Sequence, residues 1–360
     1  MACFLGCHGH GFAWPCLRYD KNTATQSRDR GTLKNKPFLS GQPLTRVERK
    51  LLVTERARSE NCLLATDASR GPRLLVSVRS PEEALAAIEG DADILDVKEP
   101  TRGSLGMATI EVIAAIARQV AEDCGSASCS EGRRGDLRSG PVRGREPRAQ
   151  QTCAQETHSQ REPHIPLSVA LGEVIDWRDR DNVPALPESV AFGKLGLSHL
   201  ARRGGWRDEW LRVRERFDRR CSSRLEWVAV AYADADAAES PPLHDILDAA
   251  IATNCAGLLI DTFAKTGLTL TDCCDAAELC DLAERCHSAG LFLALAGRLA
   301  RESLPELSRV PADVLAIRSA ACEDADRTAQ VSARAVASFR LAMRTTVASA
   351  TKPFLLTPAP

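Results

Sequence analysis

Eight short, almost unbroken apolar runs recur between Leu74 and Ile317, each followed by a crossover segment, and they leave this chain few folds to choose from. They are Leu74–Val78, Asp93–Lys98, Pro166–Leu171, Ser189–Gly196, Glu226–Tyr232, Gly257–Asp261, Leu291–Leu295 and Ala312–Ile317. A strand with one wet face alternates apolar and polar residues, whereas a strand covered on both faces is apolar throughout, which is the mark of a parallel sheet wrapped by helices. The crossovers carry helical signals. Ser80-Pro-Glu-Glu83 is a capping box with proline at the first helical position, and the helix Pro81–Glu89 follows it. Ile113, Ile116 and Val120 share one face of a helix from about Thr109 to Ala121. Further helices are expected over Trp206–Phe217, Leu243–Thr253, Asp272–Ala289, near Arg301–Leu307, and from Thr328 to about Met343. The crossover between the third and fourth strands is short and interrupted by proline. A (β/α)8 TIM-type barrel satisfies this order directly; an open doubly wound sheet would leave the count of eight without a reason.

The barrel is expected over residues 71–345. Residues 1–70 are polar and lack a period, and read as a poorly ordered extension. The stretch 123–165, rich in Ser, Gly, Arg, Gln and Pro, reads as a polar insertion that cannot bury a core, and 346–360 as a C-terminal tail. Cys3, Cys7, His8 and His10 are ligand types without a second well-spaced pair, so no metal site is assigned. The 14 cysteines could suggest a disulfide framework, but Cys273, Cys274, Cys280 and Cys286 fall where a core helix would be and read as reduced, buried hydrophobes. A net charge of -1 gives no reason to expect nucleic acid or an anionic membrane as a partner. No run approaches the ~20 apolar residues of a membrane span, and no export leader is visible, so a cytoplasmic protein is expected. A homo-oligomer is left open.

The second strand carries the first chemical signal. It runs from Asp93 through Asp96 and Lys98 into a loop that ends in Gly103-Ser-Leu-Gly106. Side chains two apart on a strand share a face, so Asp96 and Lys98 point the same way at its carboxyl end. A solvated surface ion pair is the plain alternative. The use of lysine argues against it. Most of the 47 basic residues are arginine, and between Arg73 and Arg344 the lysines are Lys98, Lys194 and Lys265 alone. They fall at or just after the ends of strands two, four and six. Alternate strands of a barrel feed one interior layer, and barrel active sites lie at the strand carboxyl ends, so the three amines should converge on one mouth. Lysine can lose its proton and act as a nucleophile, and arginine cannot. Neighbouring ammonium groups and burial push a lysine pKa down, exposing the amine needed for a Schiff base or for proton transfer. Asp96 and Asp261 balance the charge and can relay protons.

The loops after strands seven and eight are where barrels often hold phosphate. Here they carry Gly297-Arg298 and Arg318-Ser319-Ala320, small residues for close backbone approach and arginines to fork onto oxygens. Glu323, Asp324 and Asp326 would oppose an anion if they pointed inward.

These stretches resemble the (5-formylfuran-3-yl)methyl phosphate synthase family. The resemblance rests on Leu74–Gly106 (LLVSVRSPEEALAAIEGDADILDVKEPTRGSLG), FGKLGL at Phe192–Leu197, AYAD at Ala231–Asp234, DTFAKTG at Asp261–Gly267, LAGRL at Leu295–Leu299 and IRSAAC at Ile317–Cys322, in that order. It implies a TIM-type barrel that joins two molecules of glyceraldehyde 3-phosphate into a furan aldehyde phosphate for methanofuran synthesis, releasing phosphate and water without a cofactor. Lys98 matches the family's Schiff-base lysine and Lys194 its proton acceptor; Asp96, Asp261 and Lys265 match supporting positions. The chain departs from the family pattern in its insertion, in its extension, and at Arg298 and Ser319. The alternatives are another Schiff-base aldolase or phosphate-sugar barrel enzyme, and a barrel that binds a phosphorylated metabolite without turning it over.

Overall fold

A computed structural model describes residues 71–127, 165–265 and 267–350. The expected strands form as β1 (Arg73–Val78), β2 (Ile94–Val97), β3 (Leu167–Glu173), β4 (Val190–Gly196), β5 (Glu226–Tyr232), β6 (Gly257–Asp261), β7 (Phe292–Leu295) and β8 (Val314–Ile317). Each pairs in parallel with the next, and β8 returns to β1 through Arg73↔Val314 and Val76↔Ile317, closing a (β/α)8 barrel.

Closure explains why the strands are apolar on both faces. Leu74, Val76 and Val78 of β1 enter the layer shared with the surrounding helices, while Leu75 enters the barrel interior. In β2 the outward residues are Leu95 and Val97 and the inward one is Ile94. The interior is filled by Leu75, Ile94, Phe192, Val230, Leu259 and Val314, with Phe192 meeting Phe292 edge-on at 5.9 Å. Above this apolar floor, toward the strand carboxyl ends, lies the cavity lined by charged residues. Asp96, Lys194 and Asp261 lie in the same inward registers, two residues beyond Ile94, Phe192 and Leu259 on β2, β4 and β6, so the chemistry begins where the apolar filling stops.

The helices follow the expected order with four differences. The segment expected as one helix over Asp272–Ala289 is two, Leu270–Cys273 and Ala276–Ser288. Two N-terminal signals compete there: Thr269 and Asp272 form one capping box, and Asp275 accepts from the Glu278 N–H at 2.8 Å to start the second helix. The last helix begins at Ala333 rather than Thr328, because Thr328 is tied to Asp326 Oδ1 and Val331 bridges to Cys322. It also continues to Ala350, past the expected tail boundary, and the helix after β2 runs over Ile110–Ala127, into the start of the expected insertion. The crossover between β3 and β4 is a single 3-10 turn, Val174–Trp177, followed by irregular chain. The rest of the insertion, residues 1–70 with Cys3, Cys7, His8 and His10, and residues 351–360 lie outside the described residues.

The described cysteines are free thiols, with Cys255, Cys274, Cys286 and Cys322 buried and Cys273 and Cys280 partly exposed. Burial pushes the Cys274 and Cys286 thiols up to about 12. Among the described residues, no helix is long and apolar enough to cross a membrane.

The last helix, Ala333–Ala350, packs back onto the first, Pro81–Glu89, burying Val336, Phe339 and Met343. Arg340 holds the return. Its Nε and one terminal nitrogen donate to the Asp91 carbonyl at 3.0 and 2.7 Å, and the same nitrogen pairs with Asp93, whose carboxylate accepts from the Leu74 N–H at 2.6 Å. Arg340→Leu should lower the unfolding free energy by about 2 kcal/mol, measured by urea denaturation, because Asp93 and the Asp91 carbonyl lose their charged donor.

Candidate active site

The backbone places Lys98 one residue beyond β2, Lys194 two residues before the end of β4, and Lys265 four residues beyond β6. They line one cavity at the carboxyl end of the barrel, together with Asp96, Asp261, Leu105, Gly297, Arg298, Arg318 and Ser319. The cavity holds about 630 Å³ of space, part of it open to solvent.

Two of the lysines are paired. Lys194 Nζ lies 2.6 Å from Asp96 Oδ1, with both side chains almost fully buried. That oxygen accepts no directed hydrogen bond, so the contact is held by charge, and the other carboxylate oxygen takes the Ser77 hydroxyl at 3.3 Å. Lys265 Nζ donates to Asp261 Oδ1 at 2.9 Å and also to the Thr262 carbonyl. Asp261 further accepts from the Thr262 N–H at 2.8 Å and from the Ser104 hydroxyl at 3.1 Å. Burial alone would raise the Asp261 carboxyl, but Lys265 and Lys98 outweigh it and hold it below the usual carboxylate range. The loop that carries Lys265 is pinned by Asp234, whose carboxylate accepts from the Phe263 and Ala264 N–H groups at 2.6 and 2.8 Å.

Lys98 is the odd one. It is 9% exposed, and its ammonium makes no hydrogen bond or ion pair among the described residues. Burial pushes its ammonium down from 10.5 to about 8; Lys265 and Lys194 act in the same direction, against Asp261 and Asp96. A buried amine near 8 is neutral often enough at physiological pH to attack a carbonyl carbon.

The expected phosphate loops are both at this mouth. Gly297 has φ +100° and Arg298 φ +57°, so two successive residues are left-handed. A Cβ at Gly297 would also lie 3.0 Å from the Thr262 side chain, so this position needs glycine on both counts. Ser319–Ala321 form a 3-10 turn after β8, and its first N–H groups, of Ser319 and Ala320, are those that such a turn leaves without an internal partner. The arginine side chains are turned elsewhere. Arg298 is exposed and donates to the Gly267 carbonyl. Arg318 is buried at 8% exposure, paired with Glu83 and bonded to the carbonyls of Ser77, Arg327 and Ala329. Glu323, Asp324 and Asp326 are exposed and do not line the cavity.

Four polar residues escape a reading of the sequence. Ser104 sits in the Gly103–Gly106 stretch, and its signal was the polar residue between two glycines. Glu173 and Tyr232, at the ends of β3 and β5, meet with the phenol donating to Oε1 at 2.5 Å, while the Ser198 N–H holds Oε2 at 2.9 Å. The Asp261 charge acts on the Tyr232 hydroxyl as well, while Ser104 donates to Asp261 itself. Burial raises the Glu173 carboxyl and pushes the Tyr232 phenol well above its ordinary value. A side chain at Gly196 would overlap the Glu173 carboxylate, which is why FGKLGL carries its second glycine. The fourth, Arg327, lines the cavity from the loop beyond the 3-10 turn, and nothing distinguished it from the other arginines.

The family model for 4-HFC-P synthase matches residues 74–340, from β1 through most of the last helix. The chain belongs to the 4-HFC-P synthase family. It is 31% identical over 256 residues to the (5-formylfuran-3-yl)methyl phosphate synthase of Methanopyrus kandleri, covering 71% of this chain and 92% of that one. To the protein of the same name from Methanothermobacter thermautotrophicus it is 30% identical over 256 residues, covering 71% and 91%. The family is one of synthases, and this chain is an enzyme of it. Every residue of the cavity lining falls within the span matched to 4-HFC-P synthase, while residues 1–70 fall outside it.

Burying an unpaired amine carries a stability cost that can be measured. Between about pH 8 and 10.5 the unfolded chain holds a proton on Lys98 that the folded chain has lost, so the wild type gains stability as pH rises through that window. Lys98→Met should therefore be the more stable protein at pH 7, by up to roughly 3 kcal/mol, with the advantage fading toward pH 10. Denaturant unfolding of both proteins at the two pH values checks this.

Proposed function

We propose that this enzyme is a (5-formylfuran-3-yl)methyl phosphate synthase, the activity carried in the names of its relatives. It joins two molecules of glyceraldehyde 3-phosphate into a furan aldehyde phosphate, with release of phosphate and water, in the synthesis of a methanofuran-type cofactor. The reaction is a carbon-oxygen lyase reaction that needs no redox cofactor, and its partner is a small triose phosphate in the cytoplasm. The single observation that carries this reading is Lys98, a buried amine left unpaired while its two neighbours are neutralised by Asp96 and Asp261.

In this reading the neutral Lys98 amine adds to the carbonyl of a triose phosphate in its ketone form, and loss of water gives an iminium. The iminium withdraws electrons from the adjacent carbon, which gives up a proton to form an enamine. Lys194 is the proton acceptor, acting as the free amine once its own ammonium proton has passed to Asp96 at 2.6 Å. The enamine carbon adds to the aldehyde of a second triose phosphate. Asp261 and Lys265, 2.9 Å apart, then serve the acid and base steps of dehydration and phosphate loss. Gly297, Arg298, Arg318, Ser319 and Ala320 edge the end of the cavity that suits a phosphate, through backbone N–H groups at both loops.

Three measurements test the proposal. Purified protein incubated with glyceraldehyde 3-phosphate should release phosphate and gain the ultraviolet absorbance of a furan aldehyde together, and Lys98→Ala should do neither. Borohydride added during turnover should fix a triose phosphate to Lys98. The rate should climb about tenfold per pH unit below about 8 and level off above it, because only the deprotonated amine attacks. A Lys98→Ala protein that still makes product would sink the mechanism.

A further inference from the structure

A phosphate monoester dianion needs a cation with free N–H donors at the place where it sits. Three arginines reach the cavity, Arg298, Arg318 and Arg327, and their side chains are not in the same situation. Arg318 has no donor to offer. A guanidinium carries five N–H groups. In Arg318, Nε donates to the Arg327 carbonyl at 2.9 Å, one terminal nitrogen to the Ser77 carbonyl at 3.0 Å and to Glu83 Oε2 at 2.5 Å, and the other to Glu83 Oε1 at 3.1 Å and the Ala329 carbonyl at 2.9 Å. An anion could recruit it only by breaking a buried ion pair or stripping a carbonyl. Arg298 leans outward to Gly267 and is exposed.

Arg327 is different. It is half-buried and spends one donor, a 3.3 Å bond to the Pro100 carbonyl, among the described residues. It lines the same cavity as Lys98, Lys194, Lys265 and Asp261, and the Asp261 charge acts on its guanidinium. The loop beneath it is stiff. Arg318 grips the carbonyls of residues 327 and 329, and Asp326 Oδ1 accepts from the Thr328 N–H at 2.9 Å and its hydroxyl at 2.8 Å. A buried arginine with every donor committed thus supports the backbone of a second arginine that lines the cavity with most of its donors uncommitted.

We propose that Arg327 is the side chain that grips a substrate phosphate, and that Arg318 is the positioning residue that holds Arg327 in place. This deepens the reading of the site as one for phosphorylated trioses and rests on it.

The test uses the full chain. Inorganic phosphate is titrated calorimetrically into the wild type, Arg327→Gln and Arg327→Lys, and KM and kcat for glyceraldehyde 3-phosphate are measured on the same proteins. Arg327→Gln should weaken phosphate binding and raise KM by roughly 10- to 100-fold, with a smaller change in kcat, and Arg327→Lys should fall between. The melting temperature of Arg327→Gln should stay near that of the wild type, since one long hydrogen bond is lost. Unchanged phosphate affinity and KM in Arg327→Gln, in an active wild type, overturn the proposal and leave the synthase reading intact. Phosphate binding that depends on Arg327, in a wild type that makes no furan, upholds the phosphate site and overturns the synthase reading. A wild type that binds no phosphate overturns the proposal.

Discussion

Three ammonium groups and two carboxylates share the one mouth of this barrel, and the mismatch in their number organises the site. Asp96 neutralises Lys194 and Asp261 neutralises Lys265, which leaves Lys98 as the group whose charge has no direct partner. In a water-poor cavity an uncompensated charge is costly, so the proton most easily given up is the one on Lys98. Burial is what makes the unpaired amine a nucleophile: Asp261 and Asp96 pull its proton back, and because each is also engaged by Lys265 or Lys194, whose charge pushes the other way, that pull is largely offset.

The barrel makes this arrangement possible by alternation. A residue on β2, β4 or β6 that faces inward below the mouth is apolar and packed, as Ile94, Phe192 and Leu259 are. The next inward residue up the same strand is Asp96, Lys194 or Asp261. The packed floor denies water from beneath, and rigid strands fix the distances between charged atoms that a flexible loop could not hold. Around the rim a second kind of charge works structurally. Arg318 ties Glu83 of the first crossover helix to the carbonyls beyond β8, across the β1–β8 seam where the barrel closes.

Much of this was legible before any coordinates. The strands were, because burial on both faces removes the polar residues that would blur a run such as Leu258–Ile260. The three lysines stood out because arginine serves elsewhere in this part of the chain wherever a positive charge suffices. Less legible were places where local signals compete. The break at Cys274 comes from two capping signals six residues apart, Thr269 and Asp275, neither stronger than the other on paper. The late start of the last helix comes from the Cys322↔Val331 bridge, a contact that a local pattern does not encode.

The sequence by itself determined the alternation of strands and crossovers, the side-chain period that sets Asp96 beside Lys98, and the residue types able to do amine chemistry, because these depend on neighbours along the chain and on composition. Only the tertiary structure decided which carboxylate meets which lysine, that Tyr232 meets Glu173 and Ser104 meets Asp261, and that Arg318 is spent on Glu83 while Arg327 lines the cavity with donors to spare. Those outcomes depend on distances between residues as far apart as Glu83 and Arg318, and two arginines that look alike in a sequence differ only in what surrounds their donors once the barrel has closed.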